Sequence, residues 1–295
     1  LLRCTRNDAT TMTKKHGTLA IVGAPNAGKS TLTNSLLGQK ISIVSPKVQT
    51  TRNSIRAIVI DGDVQMIVID TPGIFIPRED KILERIIVKS AWQALREADH
   101  ICFVVDAAIG MNRENTRILE DLKKENLPLT VVVNKIDLLK KSALLETFAK
   151  LSQLGITDII PISAKTSDGV EQLKKFLSEK CTHPDWIYDE DQITDAPMRF
   201  ISSEITREKL FLKLNQELPY SLTVKTDKYD VLDNGQIKIQ QTIFVTKESQ
   251  KSIVLGKRGS MIKQVGEEAR KDLTQIVGNK VHLFLFVKVK EGWMN

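Results

Sequence analysis

Eight consecutive residues, Gly23-Ala24-Pro25-Asn26-Ala27-Gly28-Lys29-Ser30, fit the pattern GxxxxGK[ST], which turns main-chain N–H groups inward around a polyphosphate. The chemistry follows from residue type. Glycines remove the side chains that would block the phosphates, Lys29 neutralises β- and γ-phosphate charge, and the Ser30 hydroxyl is a magnesium ligand. The β-branched run Leu19 to Val22 precedes the loop and a helix-period stretch follows it, which is the context such a loop needs. Nucleotide contacts are therefore expected from Gly23, Pro25, Asn26, Ala27, Gly28, Lys29, Ser30 and Thr31.

A phosphate loop does not by itself choose a base. Asn134-Lys135-Ile136-Asp137 places an amide and a carboxylate at the C-terminal edge of another apolar run. Asp137 can accept hydrogen bonds from N1–H and N2–H₂ of guanine, whereas adenine offers neither donor and would leave the carboxylate unpaired. Ser163-Ala164-Lys165 adds a main-chain N–H for the guanine O6. Asp70-Thr71-Pro72-Gly73 closes a further run, so Asp70 can hold a magnesium-bound water while the Gly73 N–H approaches the γ-phosphate. The segment from Ile41 to Arg52 is a candidate switch whose threonine completes the magnesium shell, Thr51 being favoured over Thr50. After Gly73 comes Ile74, a side chain that cannot orient water. Hydrolysis is then expected to be slow and to rest on Asn26, Lys29, Thr51, Asp70 and Gly73.

These residues need a sheet to hold them. Strand-like runs occur at Leu19 to Val22, Ile55 to Ile60, Val64 to Ile69, Ile101 to Val105, Leu129 to Val133 and Ile159 to Ile162. Asp61-Gly62 makes the second and third an antiparallel hairpin, and helical stretches between the others demand parallel crossovers. Ile82 to Leu95 and Val170 to Leu177 carry apolar residues at helical spacing. The expected fold is an α/β phosphate-loop domain with a six-stranded, mostly parallel sheet and one antiparallel edge strand. Pro184, Pro197 and Asp189-Glu190-Asp191 interrupt the periodicity after Cys181. The domain plan is a disordered tail at 1–16, a nucleotide-binding domain at 17–180, a linker at 181–197 and an α+β domain at 198–292. Leu1 to Thr11, ahead of Met12, read as overhang.

The last hundred residues follow the order α-β-β-α-α-β, with a helix from Met198 to Leu214, strands at Tyr220 to Val224, Gln236 to Val245 and Val281 to Val289, and two helices bracketing Gly256-Lys257-Arg258-Gly259. Met261, Ile262, Val265, Ala269, Leu273 and Ile276 form one apolar helix face. A GxxG loop between helices clamps the backbone of about four nucleotides of RNA, and Lys257 and Arg258 add charge to it. Of the chain's formal net charge of +7, residues 196–295 carry +6, which puts the polyanion-facing surface here. Ile253, Val254 and Ile262 beside the loop could read bases or pack the core. The three cysteines and four histidines form no metal-ligand pattern, which argues for a reducing compartment and no second active site, and no apolar stretch is long enough to span a bilayer.

Together the phosphate loop, Gln49-Thr50-Thr51-Arg52, Asp70-Thr71-Pro72-Gly73, Asn134-Lys135-Ile136-Asp137 and Gly256-Lys257-Arg258-Gly259 resemble the translation-factor-related GTPases, and among them the Era-like proteins, over residues 17–292. The resemblance implies a GTP-binding domain joined to a type II KH domain, with GTP or GDP and Mg²⁺ bound. It implies binding to the 3′-end region of small-subunit, 16S-type ribosomal RNA and to the 30S subunit during assembly. Asn26 resembles an asparagine that helps coordinate K⁺, set against a role in shaping the turn. A monomer in the cytoplasm with peripheral contact to the inner membrane is expected. The competing reading is a nucleotide-sensing RNA- or membrane-binding protein with negligible hydrolysis, and the guanine-reading pair disfavours a phosphate-loop kinase.

Overall fold

The computed structural model describes residues 13–47, 50–78, 82–215 and 218–290. Because the central runs Leu19–Val22, Ile101–Val105 and Val131–Val133 are apolar at every position, they can be covered on both faces, and alternate residues separate the two cores. The first half of the chain supplies β1 (Lys15–Val22), α1 (Lys29–Leu37), β2 (Ile55–Asp61), β3 (Val64–Asp70), α2 (Ile82–Leu95), β4 (His100–Asp106) and α3 (Arg113–Lys123). It continues with β5 (Leu129–Asn134), α4 (Lys141–Gln153), β6 (Ile159–Pro161) and α5 (Val170–Ser178). The sheet order is β2-β3-β1-β4-β5-β6, parallel except for the edge strand β2. Leu19, Ile21, Cys102, Val104 and Val132 face α1 and α5 through Leu32, Leu36, Leu173 and Leu177. Their neighbours Ala20, Val22, Phe103, Val131 and Val133 face the other layer through Ala91, Leu95, Ile118, Leu122 and Leu151. All nucleotide-facing loops thus leave one edge of the sheet.

Two sequence expectations change here. Lys15 and His16 belong to β1, paired with Val64 and Gln65, so the folded domain starts before residue 17 and residues 13–16 are not tail. The reason is cross-strand pairing, which needs no apolar side chain. Residues 1–12, Gln49 and residues 291–292 lie outside the described structure. The 181–197 segment is strapped to the sheet and supplies a seventh strand, β7 (His183–Pro184), antiparallel to the start of β1. The Trp186 indole donates to Asp63 O at 2.9 Å, Gln65 accepts the Ile187 and Tyr188 N–H groups at 3.0 Å, and Ile58 N–H donates to Ile193 O at 3.0 Å.

The C-terminal part comprises α6 (Met198–Lys213), β8 (Thr223–Val231), β9 (Ile237–Val245), α7 (Glu248–Leu255), α8 (Ser260–Val277) and β10 (Val281–Val289). Its sheet runs β10-β9-β8, with β10 parallel and β8 antiparallel to β9. The strand expected at 220–224 lies further on: residues 218–221 form a tight 3₁₀ turn pinned by buried Leu218 and Leu222, and β8 extends to Val231 through charged residues that a hydrophobic pattern does not reveal. Val265, Ala269 and Leu273 are buried as expected, while Met261, Ile262 and Ile276 pack at the core margin.

Candidate functional site

A cavity of about 690 Å³ opens at the C-terminal edge of the larger sheet. Its wall takes residues from the phosphate loop, the 43–51 segment, Gly73, the 134–138 turn and the 164–165 loop. The loop geometry explains its composition. Gly28 has φ +97°, and a Cβ there would sit 2.2 Å from the Asn134 amide nitrogen, so only glycine fits between the loop and β5. A Cβ on Gly73 would lie 2.9 Å from the Pro25 backbone, which keeps that main chain pressed against the phosphate loop. Ala27, Asp70 and Ser163 are buried behind the wall.

Lys29 is buried, and its ammonium donates to Gly23 O at 3.1 Å and Ala24 O at 2.8 Å. Burial, partly offset by Asp70 and reinforced by Lys135, lowers its pKa to about 8. Asp70 is fully buried with neither oxygen in a hydrogen bond, and desolvation raises its pKa; Ser30, Lys29 and Ser42 lie near enough to oppose that rise without hydrogen-bond geometry. The Ser30 and Thr51 hydroxyls meet at 2.9 Å, while Thr50 turns away to donate to Lys47 O at 2.7 Å. An unpartnered buried carboxylate beside two hydroxyls is a hard-oxygen set that fits Mg²⁺. Ile74 is buried in the sheet core, its N–H donating to Gly23 O at 3.0 Å, so its side chain faces no water. The Asn26 amide nitrogen donates to Pro46 O at 2.9 Å, linking the phosphate loop to the 41–52 segment and leaving the amide oxygen outside that bond.

At the other end of the cavity the asparagine acts as a brace. Asn134 donates to Ala27 O at 2.9 Å and accepts from Lys135 N–H at 2.8 Å and Ala164 N–H at 3.0 Å, so its amide ties three loops together. The Ala164 N–H is therefore shared between this bond and any base oxygen. Lys135 has left-handed φ +66° and lays its ammonium over the phosphate loop, on Asn26 O at 2.7 Å and Asp106 at 2.6 Å. Asp137 and Lys165 stand at the cavity rim with Leu138, a lining residue that the sequence did not single out.

The sequence also missed how the 41–52 segment is held. Ile43 is buried in the core of the C-terminal domain with Ile201, Ile205 and Leu273. Glu208 on α6, 2% exposed, accepts from Val44 N–H at 2.7 Å and pairs with Lys40 at 2.5 Å. Lys47 donates to Phe211 O and Leu214 O at the end of α6. Arg207, held by Glu204, donates to Thr50 O at 2.6 Å, and Arg52 donates to Tyr220 O and Leu222 O at 3.1 and 3.0 Å. No hydrophobic pattern betrays such long-range main-chain bonds, although the density of buried charge on α6 is unusual.

In the smaller domain, Gly256–Gly259 joins α7 to α8, with Lys257 and Arg258 exposed and Arg258 at φ +53°. Of the three apolar neighbours, Val254 is core, Ile262 half-buried and Ile253 55% exposed. Among the described residues there is no cluster of three metal-ligating side chains and no helix long and apolar enough to cross a membrane. Cys102 and Cys181 are buried free thiols whose pKa values burial pushes up to about 12.

Residues 18–135 match the family described as 50S ribosome-binding GTPase, and residues 217–294 match the KH domain. The chain is 45% identical to GTPase Era of Afipia carboxidovorans over 94% of its length and 90% of the relative's, and 45% identical to GTPase Era of Brucella suis over 95% and 90%. Among solved structures it resembles Era in complex with MgGDPNP and nucleotides 1506–1542 of 16S ribosomal RNA, with TM-score 0.90, 37% identity and 95% of both chains covered. It equally resembles a single-substitution variant of Aquifex aeolicus Era bound to GDP·AlF₄⁻, with TM-score 0.90, 38% identity and 95% of both chains covered.

Proposed function

The chain belongs to the Era family of GTPases, and on that premise we propose that its nucleotide state governs how the KH domain holds the 3′-end region of small-subunit ribosomal RNA during 30S assembly. It is a GTP hydrolase that uses GTP, GDP and Mg²⁺. The observation that carries the reading is the union in one cavity of a purine-reading carboxylate, Asp137, with the Ser30–Thr51 hydroxyl pair 2.9 Å apart.

Ser30 and Thr51 would hold the magnesium with their hydroxyls, and Asp70 would take a magnesium-bound water. When bound, the ion neutralises charge on the β- and γ-phosphates. The Gly23–Ser30 backbone and Thr31 cradle the phosphates, and Lys29 leaves its two carbonyls to reach them. Asp137 takes the guanine N1–H and N2–H₂, and the Ser163-Ala164-Lys165 main chain faces O6. Gly73 N–H senses the γ-phosphate. With Ile74 buried, no side chain at that position orients the attacking water, so turnover is slow, and the Asn26 amide oxygen would be the ligand for an assisting K⁺.

A γ-phosphate that fixes Thr51 also fixes Thr50, whose carbonyl is in the grip of Arg207, and so biases the seating of α6. The RNA backbone is held by Gly256, Lys257, Arg258 and Gly259. The protein works as a cytoplasmic monomer, and its basic KH domain gives it peripheral contact with anionic lipid at the inner membrane.

Asp137→Asn tests the reading. Xanthine presents an oxygen where guanine has N2–H₂, so the variant should lose GTP affinity by at least about a hundredfold and gain preference for xanthosine triphosphate. Single-turnover cleavage of each nucleotide reads out both effects; unchanged GTP binding would refute the assignment, and absent cleavage by the unaltered protein would favour a sensor without hydrolysis.

A further inference from the structure

Among the described residues, helices cover one face of the KH-domain sheet and leave the other open. Along β10, Val281 and Leu283 point into the core, whereas Phe284 and Phe286 stand 46% and 50% exposed on an edge strand. Adjacent exposed aromatics on a sheet edge invite unwanted pairing unless a ligand uses them. The parallel register places Phe284 beside half-exposed Gln240, and the Lys238 ammonium lies 6.0 Å from the centre of the Phe284 ring. Lys225 and Lys228 occupy the same face on β8, opposite Thr242 and Gln240, and Lys288 follows Phe286 on β10. Among the described residues no carboxylate pairs with any of these four lysines, and the face carries only Asp227, engaged by Thr242 Oγ1 at 2.6 Å, and Asp230 as counter-charges.

We propose that this face is a second platform for single-stranded RNA, on which Phe284 and Phe286 stack bases while Lys225, Lys228, Lys238 and Lys288 hold phosphates. The proposal rests on the KH domain being an RNA-binding module. Residues two apart on a strand present their side chains about 6.5–7 Å apart on one face, and sheet-borne aromatics so arranged stack two or three bases. Helices α7 and α8, which flank the GxxG loop, pack against β10, so a strand leaving that loop reaches this face across the β10 edge. A second copy of the chain would set lysines against lysines, and a lipid tail would leave the Gln240 amide beside Phe284 unpaired.

Full-length protein should be titrated with single-stranded RNAs of six and twenty nucleotides, read by fluorescence anisotropy. Phe284→Leu/Phe286→Leu keeps apolar bulk and removes the stacking rings. It should bind the six-nucleotide RNA as the unaltered protein does and lose at least about tenfold on the longer one, whereas Phe284→Tyr/Phe286→Tyr should retain both. Lys225→Gln/Lys228→Gln should flatten the salt dependence for the longer RNA alone. Equal affinity of the leucine variant for the longer RNA overturns the proposal. So does phosphatidylglycerol-vesicle binding that the leucine pair abolishes and RNA does not displace, or a dimer in sedimentation that the leucine pair disperses. Lys257→Ala/Arg258→Ala should weaken the six-nucleotide complex; if it does not, the loop assignment fails while the platform is still read from the longer RNA.

Discussion

Lys29 and Asp70 show how a phosphate site is charged in advance of its ligand. Both are buried, and burial disfavours the charge on each, so the site holds an ammonium of pKa about 8 beside a carboxylate raised above its usual range. For Lys29 the sign is direct. The protonated form binds phosphate, so affinity for GDP should be flat near pH 7 and fall by up to about tenfold per unit as pH rises past 8, with proton uptake on binding at the upper end. Over the interval from 8 to the ordinary lysine value of 10.5 the unfolded chain binds the extra proton, so Lys29 makes the free protein more stable as pH rises there. Calorimetric titration at pH 7 and at about pH 8.8 in two buffers of different ionisation enthalpy checks the first point. Affinity without a downward break would mean that the ammonium is not titrating where its burial puts it.

At the level of elements, α6 is both the first helix of the KH domain and the support of the switch. Lys47 reaches the carbonyls of Phe211 and Leu214, which the helix end leaves without N–H partners. Lys47→Met should therefore loosen the 41–52 segment and speed release of a non-cleavable GTP analogue by about three- to tenfold, the worth of a hydrogen bond or two, with GDP release unchanged. Stopped-flow release of fluorescent nucleotides measures both; equal acceleration of the two would place Lys47 in general stability instead. The strands were readable from Leu19, Val104 and Val133, because buried parallel strands write themselves as apolar runs, whereas their order in the sheet was not. The phosphate loop and Asp137 were readable because their chemistry admits few residue types. The beginning of β1, the strap at 183–195 and the far half of β8 were not, since each is held by main-chain pairing that polar residues satisfy equally well. Asn134 was readable in place but not in role: only the three loops around it reveal an amide that braces the site.

Among the described residues of the whole molecule, two sheets meet at a shared seam. Ile43, 1% exposed, belongs by sequence to the nucleotide-binding half and by packing to the core of the other half. Emptying a buried isoleucine from its pocket costs about 2–5 kcal/mol, so neither half can melt without taking that contact from its neighbour. Scanning calorimetry should show one transition, moved upward together by GTP analogue and Mg²⁺. Two resolved peaks, with only the first responding to nucleotide, would mean that the seam is too weak to couple them. The same isoleucine has an implication for inheritance. Exchanging RNA-holding modules between distant relatives at the obvious joint near residue 197 would graft a foreign socket onto a native plug, so productive hybrids should be those whose crossovers carry the stretch around residue 43 along with its receptor.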